Sequence, residues 1–402
     1  MDVVGTLIIG GGLAGLSIAE YLANKESHNK IIVLEQYKAW GGRMLTYRDP
    51  EHDLQYEIGA GRIFHKHKRV GALVDRFGLH RYPISTETVI SDGEPNPFLP
   101  IFEPIRQLLE AQPPEKLRNY TVSELVPKEL RTVFQYYPYW AEIHMLRADI
   151  ALPLFASTST MGAHTANDYY GIKEGIDAIT THLKDAAEKA GAILKNRHKV
   201  TNIRRLDDDL FEITGLKGKK IEAKPFKYHT KRLIIATCRC GYSDFSILKT
   251  MPLMKQLATS ALMRIYAVYD PPLDIPKKIV TDSPLRYIIP INKGLIMISY
   301  TDGDDTKHWR SLEGKALENE IHKELQQTLF PGMEIPTPKY LKKHDWPNGC
   351  TYWLPGDYDV KTASNIAHNP EPNLYLTGES ISTNQTWMEG ALESAEYLKT
   401  LI

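Results

Sequence analysis

Gly10-Gly11-Gly12-Leu13-Ala14-Gly15 has the spacing of a backbone cradle for phosphate. In such a turn Gly10 allows the tight reversal, Gly12 lets the backbone close on a pyrophosphate, and Gly15 lets the next helix pack on the preceding strand. Leu13 and Ala14 open that helix, whose first N–H groups and positive dipole end face the phosphates. Glu35 stands twenty residues after Gly15, where an acid can accept hydrogen bonds from both hydroxyls of a ribose. An acid there disfavours a 2′-phosphate, so FAD or NAD is expected rather than NADP.

Two further runs, Gly41-Gly42-Arg43 and Glu57-Ile58-Gly59-Ala60-Gly61-Arg62, each join glycines to an arginine. The glycines permit close backbone approach, and a guanidinium offers planar donors suited to phosphate oxygens or a flavin edge. Either run alone would be an ordinary surface turn. Behind a dinucleotide cradle they reinforce each other. The basic run His65-Lys66-His67-Lys68-Arg69 reads instead as a solvated helix start.

These residues need a scaffold. Val3–Ile9 reads as a strand, Leu16, Ala19, Leu22 and Ala23 mark the helix after the turn, and Ile31–Leu34 reads as a second strand. A re-entry into the same α/β unit is expected from Tyr169, with a helix over about 176–190 that puts Ile176, Ile179, Leu183 and Ala187 on one face. Strand candidates follow at 192–195, 199–205, 210–215 and 232–237, and the last is apolar enough for the centre of a parallel sheet.

The chain is therefore expected to combine α/β with α+β architecture. Segments 1–80, 169–250 and 346–402 would form a Rossmann-like nucleotide-binding domain. Segments 81–168 and 251–345 would form an interleaved substrate domain of mixed sheet and helices. The first of these is rich in proline (Pro83, Pro95, Pro97, Pro100, Pro104, Pro113, Pro114) and ends in the aromatic run Phe134–Trp140. The second mixes strands at 262–269, 287–291 and 295–300 with an amphipathic helix near 313–329.

Composition narrows the partners. The 402 residues carry 49 basic and 49 acidic side chains, so neither nucleic acid nor an anionic membrane is expected as a partner. Cys238, Cys240 and Cys350 are too few and too oddly spaced for a disulfide framework or a zinc site. That predicts no metal and a reducing, cytoplasmic setting. No apolar run reaches the ~18 residues of a membrane span, and a first strand at residue 3 leaves no room for a signal peptide. A soluble protein is expected, with a homo-oligomer left open.

The run from Gly41 to Leu79 resembles the flavin-containing amine oxidases, the family of monoamine oxidases, polyamine oxidases, histone demethylases and L-amino-acid oxidases. Gly41–Arg48 and Gly59–Ile63 most resemble the L-amino-acid oxidases. Leu374–Glu379 and Trp387–Ala395 are similar to the family's C-terminal flavin motif. The likeness is weak through 81–165 and partial through 255–345.

The resemblance implies FAD as cofactor, with roles for individual residues. Gly10, Gly12 and Gly15 would hold the pyrophosphate, Glu35 the adenosine ribose and Val200 the adenine through its backbone. Arg43, with Gly42, would lie by the flavin and its phosphates, and Gly59, Ala60 and Gly61 beside them. Glu379, after Gly378, would bond the ribityl–phosphate region, and the Met388 N–H would point at the flavin C2 carbonyl. Trp387, Tyr352 and Trp353 would be aromatic walls of the substrate slot. Arg62 would grip a substrate carboxylate, the alternative being a structural ion pair.

Two residues depart from the family pattern. Arg264 stands where the family carries a lysine tied to reoxidation of the flavin by oxygen, and an arginine cannot readily shed a proton. Cys350 stands near the cysteine that monoamine oxidases link to the flavin, with a plain buried thiol as the other reading. The resulting expectation is an FAD-dependent oxidoreductase. It would oxidise a C–N bond of an amine or amino acid by hydride transfer to flavin N5, giving an imine, then a carbonyl and ammonia, with peroxide if oxygen is the acceptor. The rivals are a flavoprotein desaturase, a porphyrinogen-type oxidase, or a flavin-bearing scaffold with weak turnover.

Overall fold

The computed structural model describes residues 3–91, 98–155, 168–206, 209–219 and 222–402. Pro95 and Pro97 lie outside them. β1 (Val3–Ile9), α1 (Leu13–Lys25) and β2 (Ile31–Leu34) begin a seven-stranded sheet. β1 pairs in parallel with β2 on one side and with Lys224–Ile235 on the other. Leu374–Leu376 pairs in parallel with Leu233–Ile235, so the last segment of the chain joins the same sheet, one strand away from β1.

Alternation along β1 explains why this sheet is covered on both faces. Ile8 packs with Ile18, Leu22 and Ala187 under the helices α1, Asp177–Lys189 and Met388–Lys399. Leu7 and Ile9 point the other way, into a core with Leu233, Ile235 and Trp353. Continuous apolar strands buried on two faces belong at the centre of a parallel sheet. Lys224–Ile235 starts earlier than its apolar half suggests, because Lys224–Thr230 pairs antiparallel with Phe211–Lys217 before the strand joins β1.

A second, six-stranded sheet runs in the order Tyr340–Trp353, Leu257–Val268, Leu295–Asp302, Tyr287–Asn292, Lys278–Val280, Thr88–Ile90. The helix Gly314–Thr328 covers one face with Leu317, Ile321 and Leu325 against Met263, Ile265 and Ile298. The strand Tyr340–Trp353 runs unbroken through the expected boundary at 345/346.

The proline-rich stretch starts with two short strands, Arg81–Ile84, which holds Pro83, and Thr88–Ile90, and is largely helical from Phe98 to Phe155. Phe98–Glu110 contains Pro104, and Pro114 occupies the first turn of Pro114–Asn119, where a missing N–H costs nothing. Thr121 and Glu124 form a capping box on Val122–Leu125. These short helices build a core of their own around Phe102, Leu109, Tyr137 and Ile143 that also receives Tyr352.

The cysteine reading needs correction. Cys238 and Cys240 form a disulfide, their Cα atoms 5.3 Å apart, within the range a bridge tolerates. Two cysteines with one residue between them make no framework, yet they can still close on each other. Cys350 is free. No helix among the described residues is long and apolar enough to cross a membrane.

Candidate active site

The cradle is assembled from backbone in close contact. Gly10 has φ +110°, and a Cβ there would meet Ala236 O at 2.6 Å. A Cβ on Gly15 would lie 2.1 Å from Gly10 O, whereas one on Gly12 would meet nothing within 4 Å. The first two glycines are thus required by packing, and the third leaves open space at the α1 N-terminus, where no side chain caps the helix. Leu13 and Ala14 form the first turn with their side chains in separate cores. Glu35 is buried beside the turn, where Oε2 accepts from Gly11 N–H (2.9 Å) and Oε1 from Tyr37 N–H (2.8 Å). Burial raises its pKa against the pull of those bonds. Val200 lies two residues past His198, whose N–H donates to Glu35 O (2.8 Å).

The second glycine–arginine run docks directly on the first turn: Gly41 N–H donates to Gly11 O (2.9 Å), and Gly41 and Gly42 have φ +101° and +62°. Arg43 O then accepts from Ala60 N–H at 2.9 Å. A Cβ on Gly59 would lie 1.9 Å from Arg43 O, so the close approach itself demands glycine there. The Arg43 guanidinium donates to Glu379 Oε2 (2.7 Å) and Gly349 O (3.0 Å). Burial works against its charge, but Glu379 holds its pKa above the ordinary value. Glu379 Oε1 accepts from Thr351 N–H (3.2 Å) and Thr386 N–H (2.8 Å). Gly378 has φ +130°, with open space where a Cβ would stand.

This surface opens onto a cavity of about 390 Å³ lined by residues from the second sheet, the helical segment and the loops at 60–62 and 383–388, among them Ala60, Gly61, Arg62, Arg264, Trp387 and Met388. Met388 starts the helix Met388–Lys399, and Trp387 before it provides no capping side chain, so the helix's positive end faces the cavity. Thr386 holds φ +68°, an unusual conformation for a β-branched residue, and it turns the chain into Trp387.

Trp387 stacks nearly parallel to Tyr169 at 6.3 Å, and the Arg62 guanidinium lies over both rings at 5.5 Å and 4.8 Å. Arg62 donates to Tyr139 Oη (2.8 Å) and has no carboxylate within 4 Å among the described residues. The structural ion pair weighed from the sequence is therefore absent there.

Arg264 lines the same cavity, but its guanidinium is tied down. It donates to Glu57 O (3.0 Å) and Gly59 O and stacks on Tyr300 at 5.0 Å. Tyr352 lines the cavity as expected of a wall. Trp353 does not. Its side chain is fully buried in the core under the first sheet, with Nε1 donating to Ser382 O (2.9 Å). Successive strand residues point to opposite faces, so one of the pair had to leave the cavity. Cys350 faces the cavity, and burial pushes its thiol up to about 12.

The basic run at 65–69 is less solvated than expected. His67 is buried edge-on against Trp387 at 4.9 Å, and burial lowers its pKa to about 4. Arg69 bonds Glu389 and Glu396, and Glu389 also accepts from Val70 N–H.

Four titratable cavity residues escaped the sequence reading: Tyr139, Glu142, Tyr300 and Asp302. Burial raises both Glu142 and Asp302 to about 7. The aromatic run ending at Trp140 was the available signal for Tyr139 and Glu142. For Tyr300 and Asp302 it was only the end of a strand.

The model of the family described as flavin containing amine oxidoreductase matches residues 139–397. The chain belongs to that family. An NAD(P)-binding Rossmann-like model matches residues 8–77. Among curated proteins, an L-amino-acid oxidase from Bothrops pauloensis is 37% identical over 81 residues, 20% of this chain and 16% of that protein. One from Gloydius halys is 35% identical over 81 residues, again 16% of its length. The matches thus span about a sixth of those relatives.

Among solved structures, cyclohexylamine oxidase from Brevibacterium oxydans aligns with TM-score 0.75 at 16% identity over 100% of both chains. Wild-type putrescine oxidase bound to putrescine aligns with TM-score 0.72 at 14% identity, over 99% of this chain and 98% of that one. Both share the fold. The family is one of flavin-containing oxidoreductases, and the uncapped helix ends, the open space at Gly12 and Gly378 and the acid beside the first turn fit FAD as the cofactor.

Proposed function

We propose that this flavoenzyme oxidises the Cα–N bond of an α-amino acid. Arg62 carries the reading: a half-buried guanidinium in the cavity wall, oriented by Tyr139 and two aromatic rings, with no carboxylate partner among the described residues. Leaving such a cation unpaired is costly unless a ligand supplies the anion, and a planar fork matches a carboxylate. The local likeness to L-amino-acid oxidases supports the same substrate class.

FAD, when bound, supplies the acceptor for the substrate's α-hydrogen and two electrons. The chain's own groups then bind and orient. Arg62 fixes the carboxylate, Tyr352 and Trp387 confine the rest of the substrate, and the apolar walls keep water from the reacting carbon. The Gly10–Gly15 turn and Glu35 would hold the adenosine diphosphate portion, with Val200 at the adenine, and Arg43 braced by Glu379 would serve the flavin end. The imine product is hydrolysed to an α-keto acid and ammonia. Segments 1–80, 169–250 and 346–402 would carry the cofactor, and 81–168 and 251–345 the substrate.

A second reading concerns the acceptor. Arg264 is spent on backbone carbonyls and cannot shed a proton, which favours an acceptor other than oxygen. Cys350 faces the cavity as a free thiol, and the burial that pushes it up to about 12 disfavours the thiolate that a flavin link would need.

The test is anaerobic mixing of the FAD-loaded protein with a panel of L-amino acids and with putrescine and cyclohexylamine. Flavin bleaching by an amino acid but not by the simple amines is expected. Bleaching by simple amines alone would overturn the carboxylate role. A flavin that no member bleaches would overturn the activity. Admitting oxygen then separates oxidase from dehydrogenase by hydrogen peroxide.

A further inference from the structure

An α-amino acid enters such a site with its nitrogen protonated, and the nitrogen must lose that proton before its lone pair can assist removal of the α-hydrogen. A proton acceptor is therefore needed close to the carboxylate site. Of the groups that face the cavity, Arg62 and Arg264 are cations. Tyr139, Tyr300 and Tyr352 have pKa values raised by burial, and Cys350 is held protonated in the same way. Asp302 caps the helix Trp140–His144, with Oδ1 accepting from Trp140 N–H (2.7 Å) and Oδ2 from Ala141 N–H (2.9 Å). Glu142 differs. Its Oε2 accepts from Tyr137 O–H (2.5 Å), while its Oε1 has no hydrogen bond among the described residues.

The position of Glu142 suits the task. It lies three residues after Tyr139, whose hydroxyl accepts from Arg62, so the acid and the group that orients the cation are presented from one helical turn. Tyr137, Arg62, Asp302, Cys350 and Tyr352 surround its carboxyl from the neighbouring segments, with Tyr139 on its own turn. Desolvation lifts Glu142 to about 7, while the Tyr137 hydroxyl and the Arg62 charge pull the other way.

We infer that Glu142 binds the α-ammonium of the substrate and takes its proton. The N–H bond breaks, its electron pair stays on nitrogen, and the proton forms an O–H bond on the Glu142 carboxylate, which becomes a neutral carboxylic acid. Arg62 and Glu142 together make the cavity a reader of zwitterions. The inference rests on the Arg62 reading proposed above.

Two probes that cannot be oxidised at a C–N bond separate the two claims: 2-aminoisobutyrate, which lacks an α-hydrogen, and isobutyrate, which has no amine. Both are titrated calorimetrically into the FAD-loaded protein. In the wild type, 2-aminoisobutyrate should bind about tenfold tighter, the worth of one charge-assisted hydrogen bond, and the preference should grow as pH rises through about 7. Glu142→Gln, which can still accept from Tyr137, should bring the ratio to one and leave isobutyrate unchanged. Arg62→Ala should lose both ligands. A Glu142→Gln protein that keeps the preference would overturn the ammonium role and leave Arg62 standing. Isobutyrate that ignores Arg62→Ala, or fails to bind the wild type, would overturn the carboxylate reading and this one with it. As an independent kinetic readout, Glu142→Gln should remove the limb near pH 7 from the pH profile of anaerobic bleaching. Retention of that limb would assign the proton to another group.

Discussion

The nucleotide cradle and the substrate cavity meet at residues 59–62, yet they are built on opposite principles. The cradle is backbone against backbone. Glycines at 10, 15, 41, 42 and 59 let main chains touch, and the polar groups offered are N–H donors and helix ends. The cavity is made of side chains from the second sheet, the helical segment 98–155 and the C-terminal loop, and it gathers two arginines, two acids and several tyrosines in a space of about 390 Å³. A pyrophosphate is much the same in every dinucleotide, so a rigid main-chain mould suffices. A substrate has to be distinguished from its analogues, which takes charged groups whose desolvation is repaid by one partner and not by another.

That contrast can be broken most severely at the cradle. Gly15→Ala puts a methyl group 2.1 Å from Gly10 O and should abolish folding or FAD retention, read as soluble yield and the ratio of flavin to protein absorbance. Gly12→Ala meets no protein atom within 4 Å, so it should keep the wild-type Tm of the apoprotein and still lose FAD. Full FAD occupancy in Gly12→Ala would mean that the cofactor does not close on this turn.

In the cavity, Arg62→Ala should cost about 3 kcal/mol, roughly two powers of ten in kcat/KM, for amino acids, with any turnover of simple amines spared. Equal loss on both would remove the carboxylate role. The strand pair sharpens the comparison further. Trp353→Phe leaves Ser382 O without its buried donor and should lower stability by about 1–3 kcal/mol, whereas Tyr352→Phe should change turnover and leave the denaturant midpoint nearly unmoved. The reverse pattern would place Trp353, not Tyr352, at the substrate.

The smallest effect is on pH. The Glu142 carboxyl has its folded pKa raised from 4.5 to about 7, so the native state holds the proton more tightly than the unfolded chain. Its contribution to stability is present below about pH 4.5 and is lost as pH rises through about 7. Glu142→Gln should flatten the fall in Tm across that window. An unchanged slope would show that the group is not desolvated in solution.

The cradle was legible because its parts lie close together in the chain. Strand, glycine turn, helix and Glu35 occupy the first 35 residues, and each glycine answers a local clash. Arg43, Arg62, Trp387 and Met388 were legible through the family resemblance, which is strong at both ends of the chain. Trp353 was misplaced because adjacent residues on a strand cannot share a face. Glu142 and Asp302 went unseen because neither carries a motif, and their meaning arises only where a helix cap meets a strand end 162 residues away.

The sequence by itself determined the glycine turn, the family likeness and which apolar strand lies at the centre of the sheet, since these follow from local spacing and from apolar runs that must be buried. The tertiary structure alone decided which arginine is tied to backbone carbonyls, which of two adjacent aromatics reaches the cavity, and, among the described residues, which arginine stands without a carboxylate and which acid keeps a free oxygen. Those outcomes depend on burial and on contacts between distant segments, and a chain's local pattern does not encode which polar groups will find partners once water is excluded.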